Sequence, residues 1–190
     1  MIYDYENKTI QVKIVYYGPA MSGKTASIKN LFSFFNKGDI LTSIESTVGR
    51  TLFFDFGVLQ FEGGEWSLKF LIYSATGQDF YASTRPATLN GVDGIIFVAD
   101  SREQCLQHNL RSWNELKTMF REDFQTLPIL VSFNKQDLQD KINPGEFLKT
   151  IDSSNFSQLA YEHTNAINGE GIFDSFKKLL EFIFPNLRLL

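Results

Sequence analysis

Gly18-Pro19-Ala20-Met21-Ser22-Gly23-Lys24-Thr25 is a complete G-x-x-x-x-G-K-T. In such a loop consecutive backbone N–H groups close around a phosphate, because the glycines permit dihedrals that a Cβ would forbid. The phosphate-binding set is then Gly18, Ala20, Met21, Ser22, Gly23, Lys24, Thr25 and Ala26. Lys24 reaches the β- and γ-phosphates, and the Thr25 hydroxyl is placed to ligate Mg²⁺. The pattern carries weight only between a strand and a helix. Residues 10–17, Ile-Gln-Val-Lys-Ile-Val-Tyr-Tyr, alternate polar and apolar before turning β-rich, as a strand does. Beyond the loop, Ile28, Leu31, Phe34 and Phe35 recur at helical spacing, so the phosphates also meet a helix N-terminus.

Composition narrows the class. The chain has 190 residues, of which 43% are hydrophobic, enough for one globular domain spanning residues 1–190. Nineteen Phe residues predict an aromatic-rich core. A formal net charge of −4 and the lack of any Lys/Arg run argue against nucleic acid as a main partner. The single cysteine, Cys105, cannot form an internal disulfide and suits a reducing cytoplasm. No apolar run has membrane-spanning length, and neither a signal peptide nor a lipid-anchor motif is present. Recruitment to a membrane or cell pole would therefore come through a partner.

Residues 36–49 show little apolar periodicity and read as a long loop. Strands are expected at 51–61 and 66–73, joined by Glu62-Gly63-Gly64-Glu65, a connection short enough for an antiparallel hairpin. Residues 76–90 read as irregular. Residues 94–99 and 129–133 are apolar on both faces, as strands covered by helices should be. Helices are expected at 106–120, at a short segment capped by Asn143 and Pro144, and at the C-terminus, with a last strand near 158–162. The fold class is α/β: a mostly parallel six-stranded sheet with one antiparallel edge strand and helices on both faces. Ligand sites in such sheets lie at the carboxyl ends of the strands.

Asn134-Lys135-Gln136-Asp137 directly follows a buried strand. A carboxylate at Asp137 accepts from both N1–H and the exocyclic amine of guanine, which adenine lacks, so the site favours GTP and GDP over ATP. Lys135 packs its stem over the base, and Asn134 ties this turn to the phosphate loop. Thr164-Asn165-Ala166 follows the last strand and offers the Ala166 N–H to guanine O6.

These residues make the chain resemble a Ras-superfamily small GTPase, with the P-loop GTPase fold, and more narrowly the MglA-like GTPases of bacteria and archaea. The resemblance rests on Tyr16-Tyr17-Gly18-Pro19, on Arg50-Thr51-Leu52-Phe53-Phe54-Asp55-Phe56 and on Gly77-Gln78-Asp79-Phe80-Tyr81. The run from Gly91 to Ser101 and Gly169-Glu170-Gly171-Ile172-Phe173 complete it. It implies GTP hydrolysis with Mg²⁺, slow alone and stimulated by a dimeric roadblock-domain regulator, and a role in polarity or motility. Gln78 takes the place that orients the attacking water, the Gly77 N–H meets the γ-phosphate, and Arg50 matches an arginine finger supplied by the chain itself. Thr51 matches the switch threonine that joins Thr25 on the metal, although Thr47 competes for that role.

Two residues depart from the pattern. Ser74 stands where small GTPases carry an Asp that holds Mg²⁺ through water, and Asp55 is the residue expected to compensate. Asp55 shares a strand face with Thr51, and a carboxylate among Phe and Leu neighbours needs a partner. Ala20 replaces a common glycine, and its methyl crowds the space around Gln78. These departures motivate an alternative: a GTP-dependent binding module with little hydrolysis, akin to Rab, Arf or archaeal regulatory GTPases.

Overall fold

A computed structural model of the chain describes residues 1–36, 42–45, 51–77 and 79–185, with only the backbone described for 42–45, 51–54 and 79–81. The elements in chain order are β1 (Ile2–Asp4), β2 (Thr9–Tyr17), α1 (Lys24–Phe34), β3 (Thr42–Glu45), β4 (Thr51–Gly63) and β5 (Trp66–Ser74). They continue with α2 (Arg85–Leu89), β6 (Gly94–Asp100), α3 (Leu106–Phe120), β7 (Ile129–Asn134), α4 (Pro144–Thr150), β8 (Leu159–His163) and α5 (Ile172–Ile183). The six expected strands are all present.

The sheet order is β3-β4-β5-β2-β6-β7-β8, with β2, β5, β6, β7 and β8 mutually parallel and β4 antiparallel to β5. Two further strands extend it, so eight strands are seen among the described residues. β1 pairs antiparallel with the start of β2, and β3 pairs antiparallel with β4 across a register shift between Ser43 and Glu45. Part of the segment read as a long loop is therefore sheet edge. β1 buries no apolar face, since Ile2 and Tyr3 are exposed, and β3 joins the sheet by backbone pairing with β4. Alternation has nothing to report in such strands.

Side-chain alternation divides the core into two layers. Val12, Ile14 and Tyr16 of β2 face Ile28, Leu31 and Phe32 of α1 and Phe176 and Leu179 of α5. Val15 and Tyr17 of the same strand face the other way, with Phe97 of β6, Trp113 and Leu116 of α3 and Phe147 of α4. Trp113 meets the rings of Phe97 and Phe124 edge-on, each at 5.1 Å between centroids. Such contacts favour a fixed packing over mere burial. With both faces covered, β6 is buried along its whole length. Among the described residues, no helix is long and apolar enough to cross a membrane.

Candidate nucleotide site

The loop between β2 and α1 has the backbone its sequence demands. Gly18 has φ +139° and Gly23 φ +107°. A Cβ on Gly18 would lie 2.3 Å from the Val98 carbonyl oxygen, and one on Gly23 would lie 2.1 Å from Asn134 Nδ2. Both glycines are therefore required by close approach as well as by dihedral. Met21 also takes a positive φ of 63° and leaves its side chain exposed. Ser22 is wholly buried and its hydroxyl has no hydrogen-bond partner among the described residues. Ala26 lies in the first turn of α1.

Lys24 folds over the loop, its ammonium donating to the Gly18 carbonyl at 2.9 Å and the Pro19 carbonyl at 2.7 Å. Burial first, then the charge of Arg85, push this amine down to about 7, against the pull of Asp55. Phosphate in the loop would favour the charged form and raise that value. Below about 7 the amine is already protonated. Above it, binding must add a proton, so nucleotide affinity is expected to fall as pH rises toward about 9, by up to about tenfold per unit. Calorimetric titration in two buffers of different ionisation enthalpy reads this directly. Uptake approaching one proton at about pH 8 supports the coupling, and none contradicts it.

The metal side is built by α1, β4 and β5. Thr25 Oγ1 donates to Asp55 Oδ2 at 2.6 Å, and Asp55 is fully buried. Leu59 pairs with Phe70 and Gly57 with Ile72. Continuing that register sets Asp55 opposite Ser74, with both side chains on the α1 face of the sheet. Ser74 is 1% exposed and its hydroxyl has no partner among the described residues. A hydroxyl, a carboxylate and an orphaned hydroxyl form the hard-oxygen donor set that Mg²⁺ takes. The backbone of Thr51 opens β4, while Thr47, Arg50 and Gln78 lie outside the described residues.

Beyond Ser74 the chain runs against the phosphate loop. A Cβ on Gly77 would fall 2.4 Å from the Ala20 nitrogen, so the residue preceding Gln78 packs on the Ala20 backbone. Of the aromatic residues near this segment, Phe56 has a described side chain, packed on Tyr73 at 4.8 Å between ring centroids.

The base side centres on Asn134, 1% exposed. Its Nδ2 donates to the Ser22 carbonyl at 2.7 Å, and its Oδ1 accepts from the Ala166 N–H at 2.9 Å and from Thr164 Oγ1 at 3.4 Å. One amide thus fastens the phosphate loop, the turn after β7 and the loop after β8 together. The Ala166 N–H, expected to meet guanine O6, is engaged by Asn134 in this arrangement. Asp137 stands exposed at the turn. Lys135, at φ +71°, reaches Asp100 Oδ2 at 2.7 Å. Burial works to raise the Asp100 carboxyl, but hydrogen bonds from Arg102 and Lys135 hold it down, to about 2. Asp100 is thus a fixed anion steering the lysine expected to cover the base. Sequence reasoning missed this role, although a charged residue closing the apolar run Gly94–Ala99 was a visible signal. His108 and His163 are both exposed.

Residues 1–183 match the ADP-ribosylation factor family. The chain is 32% identical over 194 residues to the mutual gliding-motility protein MglA of Myxococcus xanthus (strain DK1622), covering 97% of this chain and 96% of that protein. It is 25% identical over 174 residues to the Ras-related protein Rab-11C of Dictyostelium discoideum, covering 90% of this chain and 72% of that protein. Likeness that runs almost from end to end settles the descent: the chain belongs to the ADP-ribosylation factor family and is an MglA-like, GTP-binding small GTPase of the Ras superfamily.

Proposed function

We propose that this chain, as a single domain, is an Mg²⁺-dependent GTP-hydrolysing switch that controls polarity or motility by binding partners according to its nucleotide. The observation that carries the reading is the Asn134 amide, which joins the phosphate loop to both base-side loops. Phosphate and base recognition then act as one rigid unit. Lys24 and the loop amides hold the phosphates, and Asp137 reads the guanine edge with Lys135 against its face. Thr25 holds the metal, with Asp55 as its buried acidic support in place of the Asp absent at position 74. A bound Mg²⁺ would supply positive charge to the triphosphate, and Thr51, at the start of β4, would join Thr25 in holding it. Gln78 orients the attacking water, and Arg50 brings positive charge to the transferring phosphoryl group. Slow hydrolysis without a regulator follows in this reading from the Ala20 methyl, expected to crowd Gln78 at a position where a glycine is common. The regulator in this reading is a roadblock-domain dimer, and recruitment within the cytoplasm, to a pole or membrane, falls to such partners.

The test is the Mg²⁺ dependence of GDP release in Asp55→Asn, Ser74→Asp and the double variant. Asp55→Asn is expected to release GDP at least about tenfold faster at saturating Mg²⁺, since it removes the charge beside Thr25. Ser74→Asp alone would set two carboxylates opposite each other and help little, whereas in the Asp55→Asn background it should restore slow release. Wild-type Mg²⁺ dependence in Asp55→Asn would remove Asp55 from the metal site.

A further inference from the structure

Arg85 is a charged side chain only 5% exposed, at the first position of α2, and its guanidinium bridges two elements. Nε donates to the Thr76 carbonyl oxygen at 2.9 Å. Nη1 donates to Glu115 on α3, at 2.6 Å to Oε1 and also to Oε2. Thr76 is itself buried, and Glu115 is partly so. The Tyr17 phenol is buried beside this pair and is held above its ordinary pKa by that burial and then by the Glu115 charge. Thr76 leads directly into Gly77, which packs on the Ala20 backbone, so the Arg85 contact borders the phosphate loop.

The bond to Thr76 matters because of the peptide it grips. The Thr76 C=O and the Gly77 N–H belong to one planar trans amide and point in opposite directions. A guanidinium fixed on the oxygen therefore fixes the direction of the N–H, and its charge polarises that N–H toward better donation. Gly77 is meanwhile pressed on the Ala20 backbone, which limits how that amide can turn.

We propose that Arg85 and Glu115 form a latch from α3 that positions the Thr76–Gly77 peptide, so that the Gly77 N–H is presented to the terminal phosphate of a nucleoside triphosphate. Arg85 is a positioning residue in this scheme, with Glu115 holding its fork in place. The inference rests on the GTPase reading above. Its signature is selective: a group that serves only the γ-phosphate affects GTP and leaves GDP alone.

The experiment measures the affinities of GDP and of a non-hydrolysable GTP analogue, with Mg²⁺, for wild type, Arg85→Gln, Glu115→Gln, Arg85→Lys and the double Gln variant. Thermal midpoints are recorded alongside. Both Gln variants should lose about tenfold in analogue affinity while GDP affinity stays within about twofold, and the double variant should lose no more than either single one. Arg85→Lys keeps the charge but not the fork, so it should recover thermal stability without recovering the preference for the analogue. Should Arg85→Gln not fold, Glu115→Gln on the partly exposed face of α3 carries the test. An unchanged ratio of analogue to GDP affinity in Glu115→Gln overturns the latch, as does an equal loss for both nucleotides. A wild-type protein that binds neither guanine nucleotide would instead overturn the GTPase reading itself.

Discussion

Replacing Asp137 by Asn is expected to weaken GTP and GDP binding by roughly 10³-fold, because two charge-assisted hydrogen bonds to the guanine edge are lost together. The same substitution should admit xanthine nucleotides. Xanthine carries a carbonyl where guanine carries the exocyclic amine, and an Asn amide can donate to that carbonyl while still accepting from N1–H. The change should not propagate into the fold. Asp137 is exposed, and the loop-fastening bonds belong to its neighbour Asn134. A competition titration against labelled nucleotide checks both halves of the prediction. Wild-type GTP affinity in the Asp137→Asn protein would take Asp137 out of base recognition.

Arg50→Ala is the second large effect. A cationic side chain that meets the phosphoryl group only as charge develops contributes little to the bound ground state and much to the barrier. Regulator-stimulated turnover should fall by at least roughly 10²-fold, with GDP affinity nearly unchanged. Single-turnover cleavage of GTP, set against GDP binding by the same protein, separates the two quantities. Wild-type cleavage by the Ala variant would leave Arg50 without a catalytic part, and a parallel loss of GDP affinity would make its contribution uniform binding instead.

The parts of the site legible in the sequence were those set by backbone chemistry. Gly18, Gly23 and the Lys24-Thr25 pair announce a loop with unusual dihedrals between a strand and a helix, and the structure shows that arrangement. The longer strands were legible for a related reason: all but the half-buried β8 bury at least one face, and burial imposes a period on the residues. Asp55 stood out as a carboxylate among aromatic neighbours, and its partner proved to be Thr25. The short strands β1 and β3 were not legible, because backbone pairing at a sheet edge leaves no hydrophobic pattern. Contacts between distant segments were equally silent. That Gly23 is required by the Asn134 side chain, that Lys135 reaches Asp100, and that Arg85 joins Thr76 to Glu115 are products of the assembled fold. No spacing rule connects residues that meet only when a sheet brings its loops together. The Ala166 N–H illustrates the same limit, since only the fold reveals the Asn134 oxygen it donates to.

The central claim, a phosphate loop and a guanine-reading turn locked into one Mg²⁺-dependent site, is tested most directly by competition. GDP, GTP and ATP would each displace a fluorescent guanine nucleotide from the wild-type protein, with Mg²⁺ and again with Mg²⁺ chelated. The account predicts displacement by GDP and GTP at concentrations at least roughly 10³-fold below those at which ATP competes, and weaker retention of both guanine nucleotides once Mg²⁺ is removed. Displacement by ATP at the same concentration as GTP would contradict it.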